Sequence, residues 1–354
     1  MNSPLSTRRL LLPLVPLYRS ALAFREFRLL FGMEPVRRLL WPVISIGNLS
    51  TGGSGKTPLT IALAKLLTGK GIHVDVLSRG YGRHSQLAAK VNSEGSAEDF
   101  GDEPLLMARA AEVPVFVAPQ RYQAGLLAEA GQSLAIRGSG AVGSGFSPDT
   151  RSAKSTGALA PEVGVHLLDD GFQHRQLARD VNILVLDRRD WQDGLLPAGN
   201  LREPLKAARR ASVIAIPANE PSLEGELRRW GWQGPVWRMR RTMEVLSMNG
   251  PVVAFCGIAR PEQFFAGLEA AGLRLAARTA FPDHHRYTVR DLDRLVAAAR
   301  AAGAAALVTT EKDMARLGKR ASTFPKSIPL IAARLNVEIE DQDGALDWLL
   351  GRLG

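Results

Sequence analysis

From Pro42 onward the chain alternates short apolar runs with stretches whose apolar residues recur at helical spacing. Residues 43–46 are an apolar run, a Gly-rich turn follows, and residues 59–67 then repeat at helical spacing. Further runs at residues 74–77, 113–117, 165–168, 183–186, 213–216 and 252–255 are equally short and are bounded by turn residues or charges. Runs that are apolar at every position suit strands buried on both faces, the condition of a parallel sheet covered by helices. The pattern predicts an α/β fold with a mostly parallel sheet flanked by helices. Two more strand candidates, residues 305–309 and 328–332, lie among Ala-rich helical segments.

Two stretches interrupt this rhythm. Residues 138–157 are Gly, Ser, Ala and Thr with scattered charges, which predicts a flexible surface insertion without chemistry of its own. Between residues 234 and 245 the chain passes Pro235, Arg238, Arg240 and Arg241 and restarts at Pro251, the composition of a hinge. The expected organisation is an N-terminal segment (residues 1–40), a first domain (41–235) carrying the insertion, and a smaller α/β domain (236–354) joined by the hinge. A chain of 354 residues, 45% of them hydrophobic, can fill two cores.

Residues 10–18 are apolar, follow Arg8 and Arg9, and precede Ala21-Leu22-Ala23, the outline of a signal peptide. Pro13 and Pro16 break the run and Arg19 sits where a cleavage region is uncharged, so that reading is rejected. No stretch reaches the roughly 18–20 apolar residues of a spanning helix. Leu, Phe and Tyr mixed with Arg19, Arg25 and Arg28, and continued by Arg37 and Arg38, suit an amphipathic helix lying in an anionic membrane surface. A helix packed on the domain core fits the same residues.

A formal charge of +10 calls for an acidic partner: nucleotide, nucleic acid, anionic lipid or phosphorylated substrate. No RRM, zinc-finger or helix-turn-helix pattern supports nucleic acid. The single cysteine, Cys256, excludes an internal disulfide and reads as a buried thiol in the apolar run 252–256.

The chemistry lies at the turns. Ser50, Thr51, Gly52, Gly53, Ser54, Gly55, Lys56 and Thr57 follow a strand and open a helix, the context of a Walker A loop, with Ser50 where Gly or Ala is usual. The glycines let backbone N–H groups converge on ATP phosphates, Lys56 reaches the β- and γ-phosphates, and Thr57 ligates Mg²⁺. The run 165–168 ends in Asp169 and Asp170, the acidic strand end that such a loop needs for its metal. Gln173 and His174 follow directly. Asp102 and Glu103 stand at a predicted helix start, where Asp is also an ordinary N-cap. His284 and His285 share a polar loop that suits either a metal site or a solvated turn.

These segments together resemble the tetraacyldisaccharide 4'-kinase family of lipid A biosynthesis. The resemblance is carried by residues 45–58, LSRGYG at 77–82, GDEP at 101–104, DDGFQH at 169–174, LLPAGNLREP at 195–204, FPDHHRY at 281–287 and TEKD at 310–313. It implies a P-loop NTPase-like sheet with a second domain, Mg²⁺ dependence, and a place at the cytoplasmic face of the bacterial inner membrane. The implied reaction moves the ATP γ-phosphoryl group to the 4'-hydroxyl of a tetraacyldisaccharide 1-phosphate, forming lipid IVA. It implies Asp102 as the base for that hydroxyl and His284, placed directly after Asp283, as its dyad partner. A carboxylate oriented by an imidazole is a standard way to take such a proton. Arg79, Arg121 and Arg202 are candidates for substrate phosphate or transition-state charge, with Gln173 and His174 beside them on the substrate side. An acylated disaccharide phosphate and an anionic membrane surface are the partners implied, with no nucleic acid and no protein partner. The competing reading is a soluble P-loop kinase or ATP-dependent ligase acting on a small metabolite.

Overall fold

The computed structural model describes residues 10–138 and 164–353. The part of the expected insertion from residue 139 to 157 lies outside the described residues. Twelve strands form one sheet in the order β10-β9-β11-β12-β8-β7-β6-β1-β5-β2-β4-β3. They are β1 (Val43–Asn48), β2 (His73–Ser78), β3 (Ala89–Lys90), β4 (Val115–Val117), β5 (Gly164–Asp169), β6 (Val181–Val185), β7 (Val213–Pro217), β8 (Val236–Glu244), β9 (Val252–Cys256), β10 (Leu275–Ala280), β11 (Ala306–Thr310) and β12 (Leu330–Ile339). All neighbours are parallel except β8 with β12 and β3 with β4.

The apolar runs became strands because helices cover both faces. Every residue of β1, β5 and β9 is buried. The helices are α1 (Val15–Leu30), α2 (Lys56–Gly69), α3 (Ala97–Phe100), α4 (Asp102–Ala111), α5 (Arg121–Gly138), α6 (Arg188–Gln192), α7 (Pro221–Arg229), α8 (Pro261–Ala270), α9 (Val289–Ala301), α10 (Glu311–Leu317) and α11 (Gln342–Leu353). α2 sinks Leu59, Leu63 and Leu67 into the core over β1 and β5, each side chain contributing roughly 1.5–3 kcal/mol by burial. Ala345, Leu346 and Leu349 of α11 enter that same core from the far end of the sequence.

Several strands lack the continuous apolar signature, β12 among them with Arg334 and Glu338 exposed. β10 alternates half-buried with exposed residues, as an edge strand does, and β3 is a two-residue edge. β8 occupies the stretch whose arginines suggested a hinge. Its residues 236–239 pair with β7 and its residues 239–244 with β12, so it bonds to both halves of the sheet.

α1 is set against the sheet layers by one stripe. Val15, Tyr18 and Leu22 pack on the cluster built by Leu201, Ala207 and Trp232, while Leu17, Phe24, Leu30 and Phe31 stay exposed. The helix therefore packs on the core along one face and leaves apolar side chains exposed on the other. Among the described residues no helix is long and apolar enough to cross a membrane.

Candidate active site

In a parallel sheet, ligands gather at the carboxyl ends of the strands. β1, β2 and β5 end side by side at Asn48, Ser78 and Asp169. The loop after β1 is held from outside by Thr51 N–H, which donates to the Asn200 carbonyl at 2.8 Å. Gly52 (φ 104°) and Gly55 (φ 93°) take left-handed backbone that a side chain would strain, and Gly55 caps α2. Lys56, the first residue of α2, folds back to donate to Asn48 Oδ1 at 2.9 Å and lies 3.6 Å from Asp170 Oδ1.

Asp169 and Asp170 have opposite electrostatics. Burial alone would raise Asp170, but Lys56 and Arg202 outweigh it and hold the carboxyl well below its ordinary range. Arg202 grips it with two hydrogen bonds, of 2.8 and 3.0 Å, and also reaches Asn48 Oδ1 at 2.5 Å. Asp169 is pushed up to about 7 by burial, with the charges of Glu103 and Asp170 adding to it. Its Oδ2 accepts a long bond from Ser78 at 3.4 Å, and its buried Oδ1 has no hydrogen-bond partner among the described residues.

A second cluster faces this one. Gly101 (φ 90°) turns the chain so closely against the Tyr81 carbonyl, 2.9 Å from where a Cβ would stand, that Asp102 is delivered buried at the start of α4. Asp102 Oδ2 accepts from Arg316 Nε at 2.7 Å and Nη2 at 2.5 Å, and His284 Nδ1 stands 3.3 Å away. Burial opposes ionisation of Asp102, but the bond to His284 and the charge of Arg316 win and hold it below its ordinary range. The same bond raises His284. His284 takes φ 58°, a conformation uncommon outside Gly, Asn and Asp, and its ring lies 5.5 Å from that of Tyr81. His285 points elsewhere, stacking on Phe281 and meeting Asp291 Oδ2 at 3.1 Å.

One cavity of about 1060 Å³ joins the two clusters. Ser50 to Thr57, Arg79, Asp102, Arg121, Asp169, Asp170, Arg202 and His284 all line it. Gln173 and His174 do not. Gln173 Nε2 donates to the Asn48 carbonyl at 2.8 Å from behind, while the Gln173 carbonyl accepts from Arg25 at 2.6 Å. His174 is driven down to about 3 by burial and by Arg121, Arg179 and other arginines. Gln173 thus braces the end of β1 from the side where α1 sits, and His174 stands beside it, outside the cavity lining. Among the described residues no three His, Cys, Asp or Glu side chains form a metal-binding group by themselves.

Several residues in or beside the cavity were given no role from the sequence. Arg316 is tied to Asp102, Asp313 and the Gly257 carbonyl at once, yet it belongs to no motif. Lys312, inside the TEKD block, pairs with Glu103 at 2.5 Å. Arg260 pairs with Asp187, and Arg241 donates to the Ser54 carbonyl within the loop itself. Only the fold reveals these, because each bridges segments far apart in sequence.

Comparison with known proteins agrees with this geometry. The family model described as tetraacyldisaccharide-1-P 4'-kinase matches residues 7–354. The tetraacyldisaccharide 4'-kinase of Koribacter versatilis (strain Ellin345) is 40% identical over 349 residues, covering 96% of this chain and 97% of that protein. That of Rhodopseudomonas palustris (strain BisB5) is 37% identical, covering 94% and 89%. The crystal structure of LpxK from Aquifex aeolicus in complex with ATP superposes with a TM-score of 0.71 at 33% identity, covering 98% of this chain and all of that one. The chain belongs to the tetraacyldisaccharide-1-P 4'-kinase family.

Proposed function

We propose that this ATP-dependent kinase of lipid A biosynthesis transfers the γ-phosphoryl group of ATP to the 4'-hydroxyl of a tetraacyldisaccharide 1-phosphate, using Asp102 and His284 to take the hydroxyl proton. The observation that carries the reading is their meeting at 3.3 Å in the cavity that the phosphate loop also lines. The two residues come from opposite halves of the sheet, so a closed cleft is what assembles them.

The loop from Ser50 to Thr57 binds the ATP phosphates through backbone N–H groups, and Lys56 neutralises charge on them. Asp102 stays ionised at neutral pH and accepts the proton as the hydroxyl attacks; His284, when neutral, receives it in turn. Arg202 stabilises charge beside Asp170, and Arg79 and Arg121 face the anionic acceptor. Thr57, Asp169 and Asp170 fit a Mg²⁺ ion. The fit rests on Asp169, a buried carboxylate with an unbonded oxygen, because an adjacent cation would satisfy that oxygen and favour its ionised form. When bound, Mg²⁺ would offset charge on the transferring phosphoryl group.

The exposed apolar side of α1 and the net charge of +10 support docking on an anionic membrane, at the cytoplasmic face of the bacterial inner membrane where ATP is available. The unit of residues 41–235 and that of 236–354 are joined through β8, and because α11 of the second is buried in the core of the first, flexing about β8 would carry β9, β10 and β11 and leave α11 in place. The decisive experiment incubates the protein with labelled ATP and a tetraacyldisaccharide 1-phosphate in mixed micelles. A bis-phosphorylated lipid is expected, and its absence with folded, ATP-binding protein would sink the proposal.

A further inference from the structure

We propose that Arg241 is a nucleotide-phosphate ligand, delivered onto the donor loop from the C-terminal half of the sheet. This rests on reading the loop at Ser50 to Thr57 as the ATP site. Most cations at the cavity are paired with carboxylates. Lys56 and Arg202 share Asp170, Lys312 holds Glu103, and Arg260 holds Asp187. Each of these cations is already matched by a carboxylate.

Arg241 is not. Among the described residues it has no carboxylate ion pair, and its guanidinium donates instead to the backbone carbonyl of Ser54, inside the phosphate loop. A Cβ added to Gly55 would fall 2.8 Å from Arg241 Nη2, so the guanidinium lies flat against the residue that precedes Lys56. Its Nε is buried and lacks a hydrogen-bond partner. A half-buried guanidinium on the cavity wall with an unused N–H, set against a loop built to gather phosphate oxygens, matches a polyphosphate in both charge and donor geometry. Arg121, buried and with its own Nε unpartnered, and the exposed Arg79 also lack carboxylate partners among the described residues, but Arg121 donates to the Asp170 carbonyl and not to the phosphate loop. Burial lowers the Arg241 guanidinium from its ordinary range, a cost that a bound phosphate would reverse.

The backbone adds the reason for this placement. Arg241 lies on β8 opposite Val337 of β12, in the part of the strand that belongs to the C-terminal half. The loop it touches belongs to the other half. A nucleotide phosphate bridging the two would tie cleft closure to the presence of donor, before Asp102 and His284 are needed.

The test compares Arg241→Gln and Arg241→Lys with wild type in two assays. The first is calorimetric ATP binding by the full-length protein without acceptor; the second is steady-state transfer with ATP and lipid varied separately. Arg241→Gln is expected to weaken ATP binding and kcat/KM for ATP by about 10- to 100-fold, leaving KM for the lipid acceptor within about 2-fold. Arg241→Lys keeps the charge without the planar fork and should recover part of the loss; it also guards against a folding defect in the glutamine variant, checked by matched thermal melts. Unchanged ATP binding and kcat/KM in Arg241→Gln, or a loss confined to the acceptor KM, overturns the proposal. Lys56→Ala, run in parallel, reports on the loop itself: if it binds ATP normally, the donor-site reading fails, whatever Arg241 does.

Discussion

Replacing Asp102 with Asn tests the acid–base assignment with almost no change in shape. The amide cannot accept the sugar proton, and a positioned general base typically contributes 10²- to 10⁴-fold. At 1.36 kcal/mol per tenfold, the barrier should rise by about 3–5 kcal/mol. The fold should suffer less. Arg316 exchanges its charge-assisted 2.5 and 2.7 Å bonds to Asp102 for weaker ones to an amide oxygen but keeps Asp313 at 3.0 Å and the Gly257 carbonyl, so its charge stays compensated. The stability loss should be about 1–3 kcal/mol, the cost of impaired hydrogen bonding, and below that of an orphaned buried ion. Single-turnover quench-flow with labelled ATP and saturating lipid isolates the chemical step. The pH profile gives a second readout. His284 must be neutral to receive a proton, and Asp102 raises its pKa, so the wild-type rate should climb with pH through a limb above the ordinary histidine value. In Asp102→Asn any residual rate should show that limb shifted to lower pH. Asp102→Asn combined with His284→Ala should be little slower than either change alone, since residues acting as a unit are non-additive. A single-turnover rate within threefold of wild type, an unmoved limb, or additive losses would refute the dyad.

Lys56→Ala should abolish transfer with a near-normal melting temperature, and appreciable turnover in the same lipid assay would remove the loop lysine from the reaction. Gly47→Ala would place a Cβ 2.5 Å from Phe172 Cβ and 2.7 Å from its backbone nitrogen; overpacking of about 1–3 kcal/mol should appear as a lowered urea midpoint with unchanged slope. His174 is held down to about 3 in the fold, so between pH 6.5 and 3 the unfolded chain binds the extra proton and stability falls as pH drops. His174→Gln should therefore gain on wild type as urea titrations move from pH 7 to pH 4.5, and a constant difference would contradict the shift. Tyr18→Phe removes the 2.8 Å bond from α1 to the Arg202 carbonyl. It should lower kcat several-fold while liposome pelleting is unchanged; a variant that loses pelleting and keeps kcat in micelles would show that Tyr18 serves docking alone.

The parts legible in the sequence were those written locally. Runs such as VISIG in β1 and VVAFC in β9 are buried along their whole length, so composition alone marked them. The phosphate loop needs consecutive residues in one turn and was equally visible. β8 escaped because a strand bonded on both sides but exposed along one face reads as charge alternation, with Arg238 and Arg240 outward and Trp237 and Met239 inward. Adjacency to Asp170 does not tell where Gln173 and His174 lie relative to the cavity: Asp170 takes φ 47°, and neither residue is in the lining. Arg316 and Arg241 show the deeper limit. Their roles depend on which carboxylate or carbonyl the fold carries to them, and no spacing rule encodes that meeting. The family relation resolved the competing small-metabolite reading, which motif chemistry alone had left open.

The core beneath the phosphate loop also has an order in time. α2 buries its leucines against α11, a segment synthesised long after it. At about 5–20 residues per second, roughly 15–55 s separate their emergence from a ribosome. Throughout that interval the nascent chain displays the oily side of α1 but has an unfinished floor under its donor site. A chain truncated ahead of α11 would carry the phosphate loop on a core that lacks the packing of Ala345, Leu346 and Leu349.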